Sequence, residues 1–401
     1  MKDEKIKRRI SPEFKLLLQC RMGKESEKIA LEELLDGKID WDVFMEMAMH
    51  HRVYPLVYKA LSTLDPLRIP KKVMNSLKQE YRNNAAMAVT MAAEMARIVK
   101  CFKENGIETL VLKGGPLALK LYGDLSLRPF RDIDMVVELK NLEMAERLLN
   151  EQGYFRIESD YPLSGHLEKA HLEVYQHYKF FNNSQKTCVE LHWKIHCTID
   201  LVTHELSDFC NKEIEIGGVS LSAMAEEELL IYLIAHGSNH MWFRLRWLCD
   251  IERLIAQNER LDWNRVRTLS EKYGLRTNLH QGIILLNRIF GMAIPDPMVT
   301  EIHIAKKGRK MAEQIITKIF CIHGYKSLNN SSSVRELISS TFYRWRLCCG
   351  WRNKLSFLAK LCIPNRKDME LIKLPKCLCP LYYIIRPFGW ALRRAKRRNA
   401  Q

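Results

Sequence analysis

Apolar residues in the first hundred positions recur at the spacing of an α-helix. Val43, Phe44 and Met47 share one helical face. A longer run over residues 78–105 is rich in Ala, Met, Glu and Arg, which favour helices, and it ends in Asn-Gly, a typical helix end. The pattern therefore predicts an N-terminal helical region.

The middle of the chain carries shorter runs of a different kind. Alternating and β-branched residues predict strands, and Gly217-Gly218 lies between two such runs as in a β-hairpin. Helical spacing returns after residue 222, first in one long helix with Gly237 as its point of interruption. The predicted elements are strands at 107–112, 132–138 and 187–196, a hairpin at 213–221, and helices at 116–121, 141–152, 223–257, 263–273 and 275–290.

These patterns predict an α+β fold in which a mixed sheet is flanked by helical regions. The length of 401 residues is sufficient for two or three packed units. Asn and Ser residues at 329–333 are typical of a linker. The predicted parts are an N-terminal helical region (1–100), an α/β core (101–222), a C-terminal helical domain (223–328) and a basic, aromatic-rich segment (329–401).

Composition excludes several classes of protein. Apolar residues make up 47% and charged residues 27%, which excludes a wholly disordered or collagen-like chain. No apolar run reaches the roughly 18 residues that a membrane-spanning helix needs, and the basic N-terminus lacks the apolar stretch of a signal peptide. The twelve cysteines show no CxxC spacing, so we expect reduced thiols and a cytoplasmic location.

The net charge of +16 is concentrated at the C-terminal end of the chain. Residues 341–401 contain 15 Lys and Arg but only two acids, with aromatic residues between the basic ones. Such a segment favours an anionic membrane surface, where each basic residue contributes about 1 kcal/mol. It also favours nucleic acid, particularly tRNA, whose bases stack on aromatic rings. A solvated tail is the third interpretation. The membrane interpretation would place the protein at the inner face of the membrane.

A Gly-Gly pair follows the first predicted strand. In Lys113-Gly114-Gly115 the glycines let the backbone approach a phosphate closely. Free N–H groups at the start of the next helix then face the anion, and Lys113 adds positive charge. An ordinary glycine turn is the alternative.

Two later strands carry acidic residues. Asp132 and Asp134 share one face of their predicted strand because side chains alternate. Two such close carboxylates repel each other unless a cation such as Mg²⁺ lies between them. Glu190 shares a face with His192, and it could bind a second metal or take a proton from an attacking hydroxyl. Solvated polar faces are the alternative for both strands.

Taken together, these residues resemble the polymerase-β-like nucleotidyltransferase superfamily. More narrowly, the chain looks like the bacterial family of uncharacterised nucleotidyltransferases, and its arrangement is similar to abortive-infection toxins that transfer nucleotides. The resemblance spans about residues 39–290, although Glu190 stands where many members have Asp. It depends on LKG at 112–114, Tyr122, Arg128, DID at 132–134 and ELHW at 190–193.

The resemblance implies a fold and a set of roles. It implies a nucleotidyltransferase-type sheet, NTP as co-substrate and two Mg²⁺ ions. Asp132, Asp134 and Glu190 would be catalytic and would bind the metals. Gly114 and Gly115 would hold phosphates through backbone N–H groups, and Lys113 and Arg128 would contact phosphates.

The helix after residue 223 carries His236 and His240 close to one face. Together with His192 they are candidates for the acceptor side of the cleft. The alternative is that the two helical histidines are buried packing residues. No Glu occupies the position that a zinc-binding HExxH motif requires.

The predicted activity is transfer of a nucleoside monophosphate from an NTP to an acceptor hydroxyl, with release of pyrophosphate. The acceptor is left open among a small molecule, a protein and tRNA. One alternative is a toxin-like enzyme that modifies tRNA. The other is a non-enzymatic basic adaptor at a membrane or nucleic acid.

Overall fold

Helices surround a mixed β-sheet whose strands come from the middle of the chain. The computed structural model describes residues 10–21, 28–157, 166–196, 199–200, 206, 209–320, 334–364, 374, 378 and 381–386. The predicted linker at 329–333 lies outside the described residues, as does much of the basic segment.

The helices of the described residues are named in chain order. They are α1 (Pro12–Gln19), α2 (Lys28–Leu35), α3 (Trp41–His50), α4 (Tyr54–Leu61), α5 (Lys71–Glu104), α6 (Gly115–Tyr122), α7 (Leu142–Glu151), α8 (His166–Val174), α9 (Glu226–Asn239), α10 (Leu245–Gln257), α11 (Trp263–Lys272), α12 (Arg276–Phe290), α13 (Asp296–Ile304), α14 (Lys306–Phe320), α15 (Val334–Leu347) and α16 (Trp351–Cys362).

The strands are short, and most of them join one sheet. They are β1 (Leu110–Val111), β2 (Ile133–Val136), β3 (Phe155–Arg156), β4 (His177–Asn182), β5 (Thr187–His192), β6 (Lys194–His196), β7 (Ile199–Asp200), β8 (Cys210–Ile216) and β9 (Val219–Met224). The seven-stranded sheet has the order β3-β4-β5-β2-β1-β9-β8, and β6 pairs with β7 separately. The β2–β5 and β1–β9 pairs are parallel and the other pairs are antiparallel. The α+β fold class is thus confirmed.

The predicted strand at 187–196 is divided at Trp193. Its backbone N–H donates to the carbonyl of Gln176, and its indole N–H donates to the carbonyl of Leu172. After this residue the chain leaves the main sheet and forms β6. The predicted hairpin about Gly217-Gly218 is present and is longer than expected, because β8 and β9 extend beyond it at both outer ends.

The long helix predicted over residues 223–257 is wrong in two respects. Residues 223–224 belong to β9, and the helix is broken after residue 239 rather than at Gly237. Met241 and Trp242 adopt left-handed backbone angles there, with φ of 56° and 53°. Gly237 stays helical and makes room for the Trp242 ring, because an added Cβ would lie 2.4 Å from that ring.

Two hydrophobic clusters hold these layers together. One combines N-terminal and C-terminal helices, including Phe44 of α3, Leu248 of α10 and Ile283 of α12. The other packs α5 and α7 against the sheet, with Phe102 and Leu191 among its buried members. The helices before and after the sheet therefore share a core. No helix in the described residues combines the length and the apolar character needed to cross a bilayer.

Candidate functional site

The Gly-Gly pair forms the connection between β1 and α6. Gly114 has φ 83° and ψ −128°, a conformation that glycine adopts without strain. A Cβ on Gly115 would lie 3.0 Å from Met95 Cε, so this position is closely packed. No side chain caps the first N–H groups of α6, and Gly114 adjoins Asp132, whose carbonyl oxygen would lie 3.9 Å from an added Cβ. The N-terminus of α6, which no described side chain caps, therefore lies beside the acidic strand.

Strand pairing brings the three predicted acids together. β2 runs parallel to β5 with Asp134 opposite Glu190. The N–H of Leu112 donates to the carbonyl of Asp134, which joins the Gly-Gly connection to the same edge. Carboxylate oxygens of Asp132, Asp134 and Glu190 all lie within 4.8 Å of one another. This arrangement could hold a divalent cation, because hard cations take oxygen ligands.

Asp134 is the most enclosed of these acids. Its side chain is 1% exposed, and neither oxygen has a hydrogen-bond partner among the described residues. Lys113 Nζ lies 3.2 Å and His192 Nε2 lies 3.5 Å from Asp134 Oδ1. Burial raises the pKa of Asp134, while the charge of Lys113 opposes this shift. A buried carboxylate without hydrogen bonds is costly, and a bound cation would remove that cost.

Strand β4 adds residues that the sequence analysis missed. It pairs with β5 so that His177 lies opposite His192 and Lys179 opposite Glu190. The Lys179 ammonium donates to Glu190, and one imidazole nitrogen each of His177 and His192 lies within 4.8 Å of a Glu190 oxygen. Alternation of polar and apolar residues in HYKFFN at 177–182 was the signal for this strand.

Burial and the neighbouring side chains have opposite effects on the pKa values of Glu190 and His192. Burial raises the pKa of Glu190, but the adjacent His192 and the charges of His177 and Lys179 outweigh burial and lower it strongly. Burial lowers the pKa of His192, but the adjacent carboxylates of Asp134 and Glu190 raise it overall. Glu190 is therefore ionised at neutral pH.

Arg128, which was expected to contact phosphate, forms a buried ion pair with Asp250 instead. Its side chain is 2% exposed, and its Nε and Nη2 donate to the Asp250 carboxylate at 2.9–3.1 Å. The Tyr122 hydroxyl donates to Asp250 Oδ1 at 2.9 Å. Two motif residues, Tyr122 and Arg128, thus hold one buried acid of α10. This geometry does not support contact between Arg128 and a phosphate, because burial encloses the guanidinium against Asp250.

The other two predicted histidines lie together near Lys113. The rings of His236 and His240 are 4.7 Å apart, and each contacts the Trp247 ring. Burial and the charge of Lys113 lower the pKa of His236 well below its usual value and that of His240 to about 4. Both imidazoles are therefore neutral at physiological pH.

A mixed sheet with a Gly-Gly connection beside clustered carboxylates agrees with the nucleotidyltransferase class that the sequence motifs resemble. Residues 37–291 match the family model described as "Uncharacterised nucleotidyltransferase", and the chain belongs to this family. It is an enzyme that transfers nucleotidyl groups, so an NTP and an acceptor are its implied substrates. Enzymes of this kind typically use divalent metals, which the three carboxylates fit.

Two solved structures are similar to this chain. One is the antibiotic-resistance factor ANT(2'')-Ia, at 14% identity and TM-score 0.33, covering 47% of this chain and 92% of the other. The second is an antigenic nucleotidyltransferase-like protein from Paracoccidioides brasiliensis, at 16% identity and TM-score 0.33, covering 53% and 96%. No curated protein sequence matches this chain.

Proposed function

We propose that this enzyme transfers a nucleoside monophosphate from an NTP to an acceptor hydroxyl and releases pyrophosphate, with Mg²⁺ as its metal. The observation that carries the proposal is Asp134, which is buried beside Asp132 and Glu190 and has no hydrogen-bond partner in the part of the chain that the structure describes. Mg²⁺ bound to these carboxylates would neutralise their charge and polarise phosphate oxygens. Two ions are part of this proposal.

The chain's own residues would bind and orient the nucleotide. Asp132, Asp134 and Glu190 would hold the metal. The N–H groups of Gly114 and Gly115 would bind phosphate oxygens, as helix N-termini do. Lys113, which lies 3.2 Å from Asp134, would compensate charge where phosphate and carboxylate meet.

His192 is the group best situated to receive the proton of the acceptor hydroxyl. Its buried ring contacts both Asp134 and Glu190, and neither ring nitrogen has a hydrogen-bond partner among the described residues. The adjacent carboxylates would stabilise the imidazolium that results. His236 and His240, neutral and near Lys113, would line the acceptor side. The acceptor is a small molecule, a protein or tRNA.

Calorimetric titration with each NTP in the presence of Mg²⁺ tests this proposal. We expect the wild type to bind at least one NTP with dependence on Mg²⁺, and Asp134→Asn to lose that binding. Asp296→Asn, on the exposed start of α13, is the matched control and should bind like the wild type. Incubation with cell extract should then transfer an α-phosphate label, but not a γ-phosphate label. Absence of binding by folded wild type, or unchanged binding by Asp134→Asn, would reject the proposal.

We also propose that the basic segment contacts an anionic membrane surface at the cytoplasmic side. The supporting observation is α16, whose Leu355, Leu358 and Leu361 are each 44–55% exposed at helical spacing. Lys354 and Lys360 lie on the same helix. Apolar and cationic residues on one short helix are typical of interfacial binding.

A further inference from the structure

Three connections that are remote in the sequence meet beside the candidate site. The α3–α4 connection packs against the α9–α10 connection, because His50 Nε2 lies 3.0 Å from the carbonyl oxygen of Phe243 and Leu245 N–H donates to His51 Nδ1. The connection before β2 joins them, because the Arg246 guanidinium donates to the carbonyl of Pro129. The last of these connections leads directly into Asp132.

Four arginines in these connections or in the first turn of α10 form what we call the arginine cluster: Arg52, Arg131, Arg244 and Arg246. Asp132 attracts the guanidinium groups of Arg52 and Arg244. Arg131 precedes Asp132 directly, and its charge lowers the pKa of Tyr54 against the effect of burial. The cluster therefore adjoins the candidate metal ligands.

The arginine cluster forms no ion pair with a described carboxylate, although the charge of Asp132 acts on two of its members. Among the described residues, none of its members has a carboxylate within the 4.0 Å of an ion pair. The nearby buried acid, Asp250, is already bound by Arg128 and Tyr122. Arg246 is 7% exposed, and its buried Nε has no hydrogen-bond partner within the described part of the chain. A buried guanidinium donor without an acceptor is costly, so a bound anion would stabilise Arg246.

The backbone angle of Arg52 and the pKa values of Arg244 and Arg246 agree with an excess of positive charge in the cluster. Arg52 has a left-handed φ of 55°, a conformation that non-glycine residues adopt only with strain. Burial and the neighbouring guanidinium of Arg52 lower the pKa of Arg244 to about 10. Burial and Arg128 lower the pKa of Arg246 to about 9. Arg244 and Arg246 therefore remain charged at neutral pH, although neighbouring guanidinium groups repel them.

We propose that the arginine cluster binds the polyphosphate of the substrate nucleotide, on the side of Asp132 formed by the α3–α4 and α9–α10 connections. This inference depends on the proposed function for the identity of the nucleotide. Several guanidinium groups suit a polyphosphate, because each presents paired N–H donors to phosphate oxygens. The cluster would thereby orient the β- and γ-phosphates, which leave as pyrophosphate.

Binding of inorganic tripolyphosphate in EDTA tests the cluster without metal or base. We expect wild type to bind it, and Arg52→Gln/Arg244→Gln to bind at least about tenfold more weakly, since loss of one charged hydrogen bond accounts for about that factor. Asp134→Asn should retain binding. Arg147→Gln, on an exposed position of α7, is the matched control and should be unchanged.

Thermal unfolding separates a binding role from a structural one. Without ligand, Arg52→Gln/Arg244→Gln should have an unchanged or higher Tm, because repulsion is relieved. Tripolyphosphate should raise the Tm of the wild type more than that of the variant. Arg244→Gln alone is the second variant, and we expect it to weaken binding less.

The outcomes distinguish this inference from the proposed function. Tripolyphosphate binding that is unchanged in folded Arg52→Gln/Arg244→Gln, or absent from the wild type, would overturn the inference. Arginine-dependent binding without any transfer of an α-phosphate label would support the cluster and reject the transferase reaction. Transfer of an α-phosphate label that the arginine variants leave unchanged would support the transferase reaction and reject the role of the cluster.

Discussion

Two buried aspartates differ in their hydrogen bonding, and this difference distinguishes a candidate ligand-binding residue from a structural one. Asp250 is fully buried, and its carboxylate accepts hydrogen bonds from Arg128 and Tyr122. Asp134 is almost as buried, but neither oxygen has a hydrogen-bond partner among the described residues. A buried charge that is fully paired is explained by the fold, whereas one that is not indicates a ligand. Sequence spacing alone could not separate these roles, because the partner of Arg128 lies on the distant helix α10.

Breaking the Arg128–Asp250 pair should destabilise the protein. Asp250→Asn leaves the buried guanidinium of Arg128 uncompensated, for which we expect a loss of about 3–5 kcal/mol in the free energy of unfolding. Urea unfolding at neutral pH measures it. Glu151→Gln, which removes an exposed partner of Arg147, is the control and should change the free energy by no more than about 1 kcal/mol. A similar small loss for Asp250→Asn would contradict a structural role for Arg128.

At the scale of elements, sequence patterns predicted what local residues determine. The Gly217-Gly218 hairpin and the helix ending before Gly153 are present, because turn and cap chemistry act over a few residues. The break between α9 and α10 was misplaced, because Trp242 packs on Gly237 through a left-handed turn that no local residue type indicates. β1 is only two residues long, because the chain turns at once into the Gly-Gly connection.

His51 joins the end of α3 to the start of α10 and makes their packing sensitive to pH. Its ring is buried at the end of α3 and accepts a hydrogen bond from the N–H of Leu245 at the start of α10. Burial, with the charge of His50, lowers the pKa of His51 to about 3. The unfolded chain protonates this residue below about pH 6.5, so its contribution to stability is present above that pH and declines as pH falls toward 3.

His51→Asn should therefore reduce the pH dependence of stability, since the amide oxygen can accept the same hydrogen bond without titrating. Between pH 7 and pH 5 we expect the wild type to lose about 2 kcal/mol more than His51→Asn. Chemical unfolding at both pH values measures the difference. His303→Asn replaces an exposed histidine on α13 and should retain the wild-type dependence. Equal losses in wild type and His51→Asn would show that His51 is not held neutral.

At the scale of the molecule, the three acids were predictable and the arginine cluster was not. Asp132, Asp134 and Glu190 lie within two short motifs on adjacent strands, so pattern and spacing identified them. Arg52 and Arg244 lie on connections whose contacts join residues 193 positions apart. Only packing between the N-terminal and C-terminal helices brings them to Asp132, which is why a sequence pattern does not indicate their proximity.

The basic segment gives the molecule a further surface for testing. If α16 binds an anionic membrane surface, wild type should co-sediment with vesicles containing phosphatidylserine but not with vesicles of phosphatidylcholine alone. Leu355→Ser/Leu358→Ser should weaken this binding, because each buried apolar side chain contributes about 1.5–3 kcal/mol. Added salt should weaken it as well, because Lys354 and Lys360 act through charge.

A matched control variant and a binding assay with tRNA distinguish the membrane and nucleic-acid interpretations of the basic segment. Leu139→Ser removes a comparably exposed leucine outside the segment and should leave sedimentation unchanged. Loss of vesicle binding in Leu355→Ser/Leu358→Ser alone would assign the membrane contact to α16. Equal sedimentation of both variants would reject that contact. A salt-dependent shift with tRNA that does not need the leucines would instead favour nucleic acid, because phosphate contacts depend on basic residues rather than on an apolar face.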